Sequence, residues 1–418
     1  MLFSKPNIQN QRRSALTLVE VLIAMAMTLV ILGAMMSAFQ YGSSEMARGR
    51  AAIELNNRLV AAQEQLRRDL DRITVELKPH QFLPALPNGY VEIVDGPSMD
   101  YNFEDDNVDV NGNPIPEADV VAARGHNGTN LVYGDTDDFF ACTIRSGDRA
   151  FRGRFRNEIE ESHLAEVAWY SIPNVDTANP DDFILVRRQL LIKPQLNGTA
   201  GVGTAADDAA FVEFVRNNDL SVRREGTTIV ANSLADLGLR GNRFAHVNEP
   251  TPQASVLIPQ FDPNPMSVDL VDLTNSENFM FTSMAAFDVQ VYAPDASVLF
   301  IGNQIADPGE IGTDDVVFED PRARAIGAYV DLGKLPEINP TFGVIGLYDT
   351  GTSEYDRVGD GNNGIDDDDN GAVDDAGEKI SQPPVNARIR GLRFRMRTFE
   401  QINKQVRQMS VSKSFLPQ

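Results

Sequence analysis

The chain has 418 residues, which is enough for two or three domains of ordinary size or for one large domain with insertions. Apolar residues make up 42% and charged residues 23%, a globular composition that excludes global disorder. The chain holds 37 Lys and Arg against 60 Asp and Glu, so its net charge of −23 repels phosphate backbones and we expect no nucleic-acid partner. Its single cysteine, Cys142, excludes an intramolecular disulfide and a cysteine-based metal site.

An uncharged apolar segment near the N-terminus predicts a membrane anchor. Residues 21–39 contain no charged side chain, and a spanning helix needs about 20 residues, whereas the apolar region of a cleaved secretory signal has about 7 to 15. Lys5, Arg12 and Arg13 precede this segment, and the positive-inside rule therefore predicts a cytoplasmic N-terminus and an extracytoplasmic remainder.

The residues that lead into the apolar segment carry a family resemblance. Residues 12–20, RRSALTLVE, followed by an unbroken apolar helix, resemble the class III signal of type IV prepilins and type II secretion pseudopilins. In that family a prepilin peptidase removes the leader before an apolar residue, the new amine is methylated, and glutamate is the fifth mature residue. The resemblance therefore implies a leader of residues 1–15, cleavage between Ala15 and Leu16, and Glu20 as the fifth mature residue.

Two features of this signal leave alternatives open. The family usually has glycine before the cut and most often phenylalanine after it, so Ala15 and Leu16 depart from the pattern. A carboxylate at the start of a membrane span is costly, and in the pilin-like interpretation Glu20 pairs with the cationic N-terminus of a neighbouring subunit. The alternative is a plain signal anchor with a glutamate near the membrane interface.

The helical pattern continues beyond the apolar segment. Residues 40–77 contain no proline, and apolar side chains recur at spacings of three and four, which predicts one apolar stripe. We therefore predict one helix from Leu16 to about Leu77, ended by Lys78 and Pro79. Residues 16–40 form its transmembrane or filament-core half, and residues 41–78 form an amphipathic half that packs on the downstream domain. The stripe consists of Leu55, Leu59, Ala62, Leu66, Leu70, Ile73 and Leu77.

The remaining residues, 79–418, predict a head rich in β-strands. Short β-prone runs alternate with Gly, Pro, Asn and Asp clusters, and two runs within 169–188 flank a turn typical of an antiparallel hairpin. The predicted strands cover residues 130–133, 139–144, 166–172, 183–192, 286–292, 325–331, 387–398 and 404–411. The fold class expected is α+β, with a pilin-like long N-terminal helix packed on an antiparallel sheet and large loop insertions.

Two parts of the head call for separate interpretation. Residues 197–275 are weakly patterned, and we predict an insertion that decorates the sheet. In the strand near the C-terminus, Arg393, Arg395 and Arg397 alternate with apolar residues. We interpret this arginine ladder as the solvated or subunit-facing side of the strand, and Gly391 before it as a bulge.

An acidic loop at residues 356–378 predicts a calcium site. It contains nine acidic residues and one basic residue, and oxygen-bearing side chains at alternate positions around Gly371 match an EF-hand-type loop. Gly377 occupies the position of the usual bidentate glutamate, so Asp375 or Glu378 would have to replace it. The alternative is a solvated acidic linker. The predicted ligands are Asp366, Asp368, Asn370, Ala372 through its carbonyl, Asp374 and Glu378.

The sequence thus predicts a pilin-like subunit anchored in the cytoplasmic (inner) membrane with an extracytoplasmic head. Residues 169–188 and the FDVQVY segment at 287–292 are similar to the sheet of J-type and W-type minor pseudopilins. The resemblance implies that the partners are prepilin peptidase and other pilin-like subunits, and that the chain is not an enzyme. The alternative is a membrane-tethered extracytoplasmic protein that binds a ligand or surface in a calcium-dependent manner.

Overall fold

The structure is a computed structural model. It describes residues 17–78, 88–95, 136, 138–173, 183–239, 242–244, 279–301, 304–306, 325–332, 335, 346–351, 385–400 and 405–415. The chain divides into two compact units, Met1–Asn56 and Asn57–Gln418. The described part of the first unit is helical, and the second unit contains a large antiparallel sheet. The described residues therefore have an α+β architecture, as the sequence predicts.

The N-terminal helix, α1, spans Leu18–Leu70, which confirms a long helix but not its predicted end. The prediction that it continues to Leu77 is wrong, because the residues after Leu70 pair with the sheet instead. Ile73 forms an antiparallel bridge with Ile144, and the Thr74 amide donates to the Thr143 carbonyl at 3.0 Å. The β-branched run from Ile73 to Val75 has low helix propensity, so pairing with a strand wins over another helical turn.

The strands of the second unit are arranged in one large sheet and two small ones. The strands are β1 (Val91–Asp95), β2 (Phe139–Arg145), β3 (Phe151–Phe155), β4 (Glu158–Ser162), β5 (Leu164–Pro173), β6 (Phe183–Leu191), β7 (Gly203–Thr204), β8 (Val222–Glu225), β9 (Thr228–Ala231), β10 (Phe279–Ile301), β11 (Gln304–Ala306), β12 (Ala325–Asp331), β13 (Gly346–Asp349), β14 (Gly391–Glu400) and β15 (Gln405–Ser414). The large sheet is antiparallel throughout and runs in the order β13-β1-β2-β5-β6-β10-β14-β15, with β11 and β12 also paired to β10.

Most of the predicted strands lie in this sheet. β2, β5, β6, β10, β12 and β15 contain or closely match the predicted runs, and β5 and β6 form the predicted antiparallel hairpin, with Trp169 opposite Arg187. Residues 130–133 lie outside the described residues. β14 begins at Gly391 rather than at residue 387, and the predicted bulge is wrong because Gly391 pairs in regular register with Ser414. A side chain at Gly391 would meet the Tyr329 hydroxyl at 3.1 Å, and this close approach favours glycine.

One face of the large sheet carries aromatic side chains and the last turns of α1. Trp169 lies on this face, and the ring centroids of Phe140 and Phe394 are 4.9 Å apart in an edge-to-face arrangement. Along α1, four residues at helical spacing are at most 2% exposed, which confirms most of the predicted stripe. They are Leu59, Ala62, Leu66 and Leu70. The apolar stripe forms because residues three and four apart share one side of a helix.

The opposite face is covered by residues that the sequence predicts only as decoration. Residues 194–239 form a short helix, α2 (Asp208–Asn217), the sheet β7-β9-β8, and 3-10 turns at Pro194–Leu196 and Asp236–Gly238. Phe211, Val215 and Ile229 from this segment join Tyr170 and Val186 of the large sheet in one buried cluster. The described part of the insertion therefore packs on the sheet, and it does so as a second core layer rather than as a surface addition. Residues 245–275 lie outside the description.

Two of the three residues of the arginine ladder are also buried rather than solvated, and Arg393 is partly buried. Arg395 is 4% exposed and Arg397 is 5% exposed, so the prediction that they line a solvated or subunit-facing surface is wrong. Arg393 Nε donates to Gln290 Oε1 at 2.7 Å, and Arg397 Nε donates to Gln408 Oε1 at 2.9 Å. The alternation of apolar and arginine residues identifies the strand correctly, but alternation alone does not show which of its faces water reaches.

Candidate functional site

The first half of α1 is the most distinctive candidate surface of the described chain. From Leu18 to Phe39 its large apolar side chains are 44–78% exposed, and they lie on all sides of the helix. This helix is long and apolar enough to cross a membrane. Apolar residues around the whole circumference suit lipid or other apolar helices, since a helix on the surface of a water-soluble core has only one apolar side.

Glu20 occupies a specific place in the first turn of this helix. Its Oε2 accepts hydrogen bonds from the Thr17 amide at 2.8 Å and the Thr17 hydroxyl at 3.0 Å. The Glu20 amide in turn donates to Thr17 Oγ1 at 3.3 Å. This reciprocal arrangement is a capping box, in which each residue satisfies the other's free backbone donor at a helix start. Glu20 thus already has a local role in beginning α1 at Leu18.

A buried ion pair fastens the last turn of α1 to the sheet. Asp69 accepts two hydrogen bonds from Arg187, at 2.7 Å from Nε and 2.9 Å from Nη2, and a third from Trp169 Nε1 at 3.0 Å. The side chains of Asp69 and Arg187 are 0% and 5% exposed. Two parallel bonds between guanidinium and carboxylate fix the relative orientation of the groups, so this Asp69 cluster holds the helix end at one place on β5 and β6.

A second buried cluster joins the sheet to the second core layer. Glu166 of β5 accepts hydrogen bonds from the Tyr90 hydroxyl and the Ser221 hydroxyl, each at 2.8 Å, and from the Phe244 amide at 3.2 Å. Burial raises the pKa of Glu166 to about 7, because loss of water outweighs these three donors. The carboxyl group therefore changes charge near neutral pH at the boundary between the two layers.

Arg243 completes the same boundary with two more carboxylates. Its Nη1 lies 2.8 Å from Glu92 Oε2 and 2.6 Å from Asp349 Oδ2, and its side chain is 0% exposed. The guanidinium also lies 3.8 Å from the centre of the Tyr90 ring, within the range of a cation–π contact. The guanidinium thus joins β1, β13 and the second core layer through one set of buried contacts, an arrangement that suits a stabilising role.

The predicted processing and calcium residues are only partly described by the structure. Glu20 lies in α1, whereas Ala15 and Leu16 fall outside the described residues. All six predicted calcium ligands, Asp366, Asp368, Asn370, Ala372, Asp374 and Glu378, also fall outside them. Among the residues that are described, no group of three or more His, Cys, Asp or Glu side chains is placed to hold a metal ion.

Two features of the site, the capping box and the partners of the buried charges, were not identified from the sequence. Only the capping box has a local sequence signal. Thr17 and Glu20 have the Ser/Thr-x-x-Glu spacing that predicts a capping box. The Asp69 cluster joins residues 118 positions apart, and Arg243 lies 151 positions from Glu92. No local pattern indicates such contacts.

Comparison of the chain with protein-family models, with curated proteins and with solved structures gave no match.

Proposed function

We propose that this chain is a pilin-like minor pilin or pseudopilin, anchored by α1 in the cytoplasmic membrane and assembled through that helix into a pseudopilus or a pilus tip complex. The observation that carries the proposal is the first half of α1. Its apolar side chains are exposed on every side, and the one charged residue between Leu18 and Ser44 is Glu20 in the first turn. An apolar helix with a single acidic group at its start suits both membrane insertion and packing among similar helices.

The remainder of the described chain is compatible with this role. The last turns of α1 pack on an antiparallel sheet, and an additional layer enlarges the head. A large head suits a minor subunit better than a repeating one. By resemblance, the preferred role is that of a J-type pseudopilin of type II secretion, and the W-type minor pilin of a type IV pilus is the second.

Glu20 has two separable roles under this proposal. As a capping residue it starts α1, and as a carboxylate in an apolar surrounding it would pair with the terminal amine of a neighbouring subunit. Glutamine preserves the first role, because either Glu or Gln completes a capping box, but it removes the charge. A charged amine left without a carboxylate in an apolar environment is costly. Glu20→Gln should therefore fold normally and fail to assemble.

The test combines processing with assembly in a host that has prepilin peptidase and the partner subunits. Intact mass of membrane-extracted protein should show a mature chain beginning at Leu16 with a methylated amine. Glu20→Gln should be processed but should be lost from complexes purified through a partner pseudopilin. Thr17→Ala is the matched control, since it disrupts the capping box while keeping the Glu20 charge. Retention of residues 1–15 or normal co-purification of Glu20→Gln would contradict the proposal.

A further inference from the structure

The exposed apolar surface of α1 continues past the membrane-spanning segment at a regular spacing. Leu32, Phe39, Met46 and Ile53 lie seven residues apart and are 58%, 76%, 70% and 64% exposed. Charged residues reappear at Glu45, so Met46 and Ile53 belong to the part of the helix that leaves the apolar span. Large apolar side chains at this exposure in water are unfavourable, and their heptad spacing is typical of a helix that packs along another helix.

If Phe39, Met46 and Ile53 are the a positions of this heptad, glycines occupy the d positions between them. Gly42 and Gly49 follow Phe39 and Met46 by three residues, and apart from the adjoining residues and the helix backbone no atom lies within 4 Å of where a Cβ on either glycine would be. A glycine inside a helix costs about 0.5–1 kcal/mol relative to alanine. Small residues at a helix–helix contact allow two backbones to approach closely. One continuous edge of α1, which we call the heptad seam, is therefore formed by Phe39, Gly42, Met46, Gly49 and Ile53.

The charges beside the heptad seam suit a second copy of the same helix. Glu45 precedes the Met46 position and Arg50 follows the Gly49 position, which are the g and e positions of a heptad. In a parallel, in-register pair, a g residue faces the e residue five positions further along the partner helix, so Glu45 faces Arg50 of the second copy. Glu45 now contacts Arg48 at 2.7 Å, but both side chains are about half exposed and can exchange partners at little cost.

From these three observations we infer that two copies of this chain associate through their heptad seams as a short parallel coiled coil at the membrane surface. The inference rests on the membrane anchoring in the proposed function, because two helices inserted with the same orientation are necessarily parallel. Because both helices are inserted to the same depth, each residue of one copy also lies beside the same residue of the other copy. The heptad repeat on an ordinary helix drifts by about 20° per seven residues, so the pair should wrap with a left-handed supercoil.

The first test is disulfide crosslinking of the full chain in membranes from a host that lacks other pilin-like subunits. Brief oxidation should link Met46→Cys and Ile53→Cys into a species of twice the monomer mass. Glu54→Cys is the control, since Glu54 follows Ile53 on the helix but lies off the seam. The native Cys142 is fully buried and provides a low background. Equal crosslinking at all three positions, or none at the seam positions, would overturn the inference.

The second test uses charge reversal in the Met46→Cys background. Glu45→Arg alone or Arg50→Glu alone places like charges across the pair and should reduce the initial crosslinking rate by roughly fivefold. The double reversal Glu45→Arg/Arg50→Glu restores opposite charges and should recover the rate. Failure of the double variant to recover would exclude the parallel, in-register arrangement.

The inference and the proposed function fail in different ways. If the seam cysteines do not crosslink although the chain is inserted and processed normally, self-association is wrong and the pilin-like role stands. In a second host that has the partner subunits, crosslinking that appears only when a partner carries a matching cysteine would assign the seam to a different chain and overturn the second-copy inference. If the chain keeps residues 1–15 but still crosslinks at the seam, self-association is supported and the proposed pilin-like function is wrong.

Discussion

Replacing Asp69 by alanine should strongly destabilise the contact between the last turn of α1 and the sheet. Asp69 provides all of the carboxylate oxygens in the Asp69 cluster, and its removal deletes two bonds from Arg187, one from Trp169 and one from Gln65 Nε2 at 3.1 Å. The Arg187 side chain, 5% exposed, would then keep its positive charge, and among the described residues its remaining side-chain acceptor is Gln189 Oε1 at 3.3 Å. Breaking a buried ion pair on one side costs about 3–5 kcal/mol, mostly because of the uncompensated charge.

The chain offers a built-in probe for this measurement. Trp169 is its only tryptophan and donates directly to Asp69, so tryptophan fluorescence during urea unfolding in detergent reports on the contact itself. Glu64→Ala is the matched control, because it removes an exposed ion pair with Arg67 on the same helix and should change the free energy of unfolding by less than about 1 kcal/mol.

A double variant separates the lost ion pair from lost packing. Asp69→Ala/Arg187→Met removes both charges, leaves no unpaired guanidinium, and should recover a large part of the stability lost in Asp69→Ala. A loss of less than about 1 kcal/mol in Asp69→Ala would refute the reasoning, because it would mean that Arg187 is compensated without Asp69. A double variant less stable than Asp69→Ala would show that the ion pair is not the source of the effect.

Three further predictions concern the head. Because folding raises the pKa of Glu166 from 4.5 to about 7, the folded state binds its proton more tightly, so stability should fall as pH rises from about 4.5 through 7; thermal melting should show this slope, and Glu166→Gln should flatten it. Gly89 has φ +82°, and an added Cβ would lie 2.0 Å from Thr143 Oγ1, so Gly89→Ala should cost at least about 2 kcal/mol in urea unfolding, with Gly147→Ala, where nothing lies within 4 Å, as the near-neutral control. Calcium at millimolar concentration should raise the melting temperature of a head lacking residues 1–40 through the 356–378 loop, and Asp366→Ala/Asp368→Ala should abolish the rise; an unchanged melt without binding heat would leave the loop as a solvated linker.

The sequence by itself determined the elements whose signals are local. The apolar run of α1 and the helical spacing of Leu59, Ala62, Leu66 and Leu70 predict the helix, because side chains three and four positions apart share one side. Alternation and turn residues predict the β5–β6 hairpin, because its two strands are close in sequence. The capping box at Thr17 was equally readable, since its two residues lie three positions apart.

Only the tertiary structure decided where these patterns end and which charges are buried. α1 stops at Leu70 because Ile73 finds a partner in β2, more than 70 residues later in the chain. Arg187 and Arg243 are buried because carboxylates more than 100 positions away in the chain pair with them. Arg395 is buried although the alternating sequence of its strand predicts one solvent-exposed face. Periodicity shows which residues share one face of a helix or strand. Whether water reaches that face depends on the elements that pack against it, and no local sequence pattern encodes those long-range contacts.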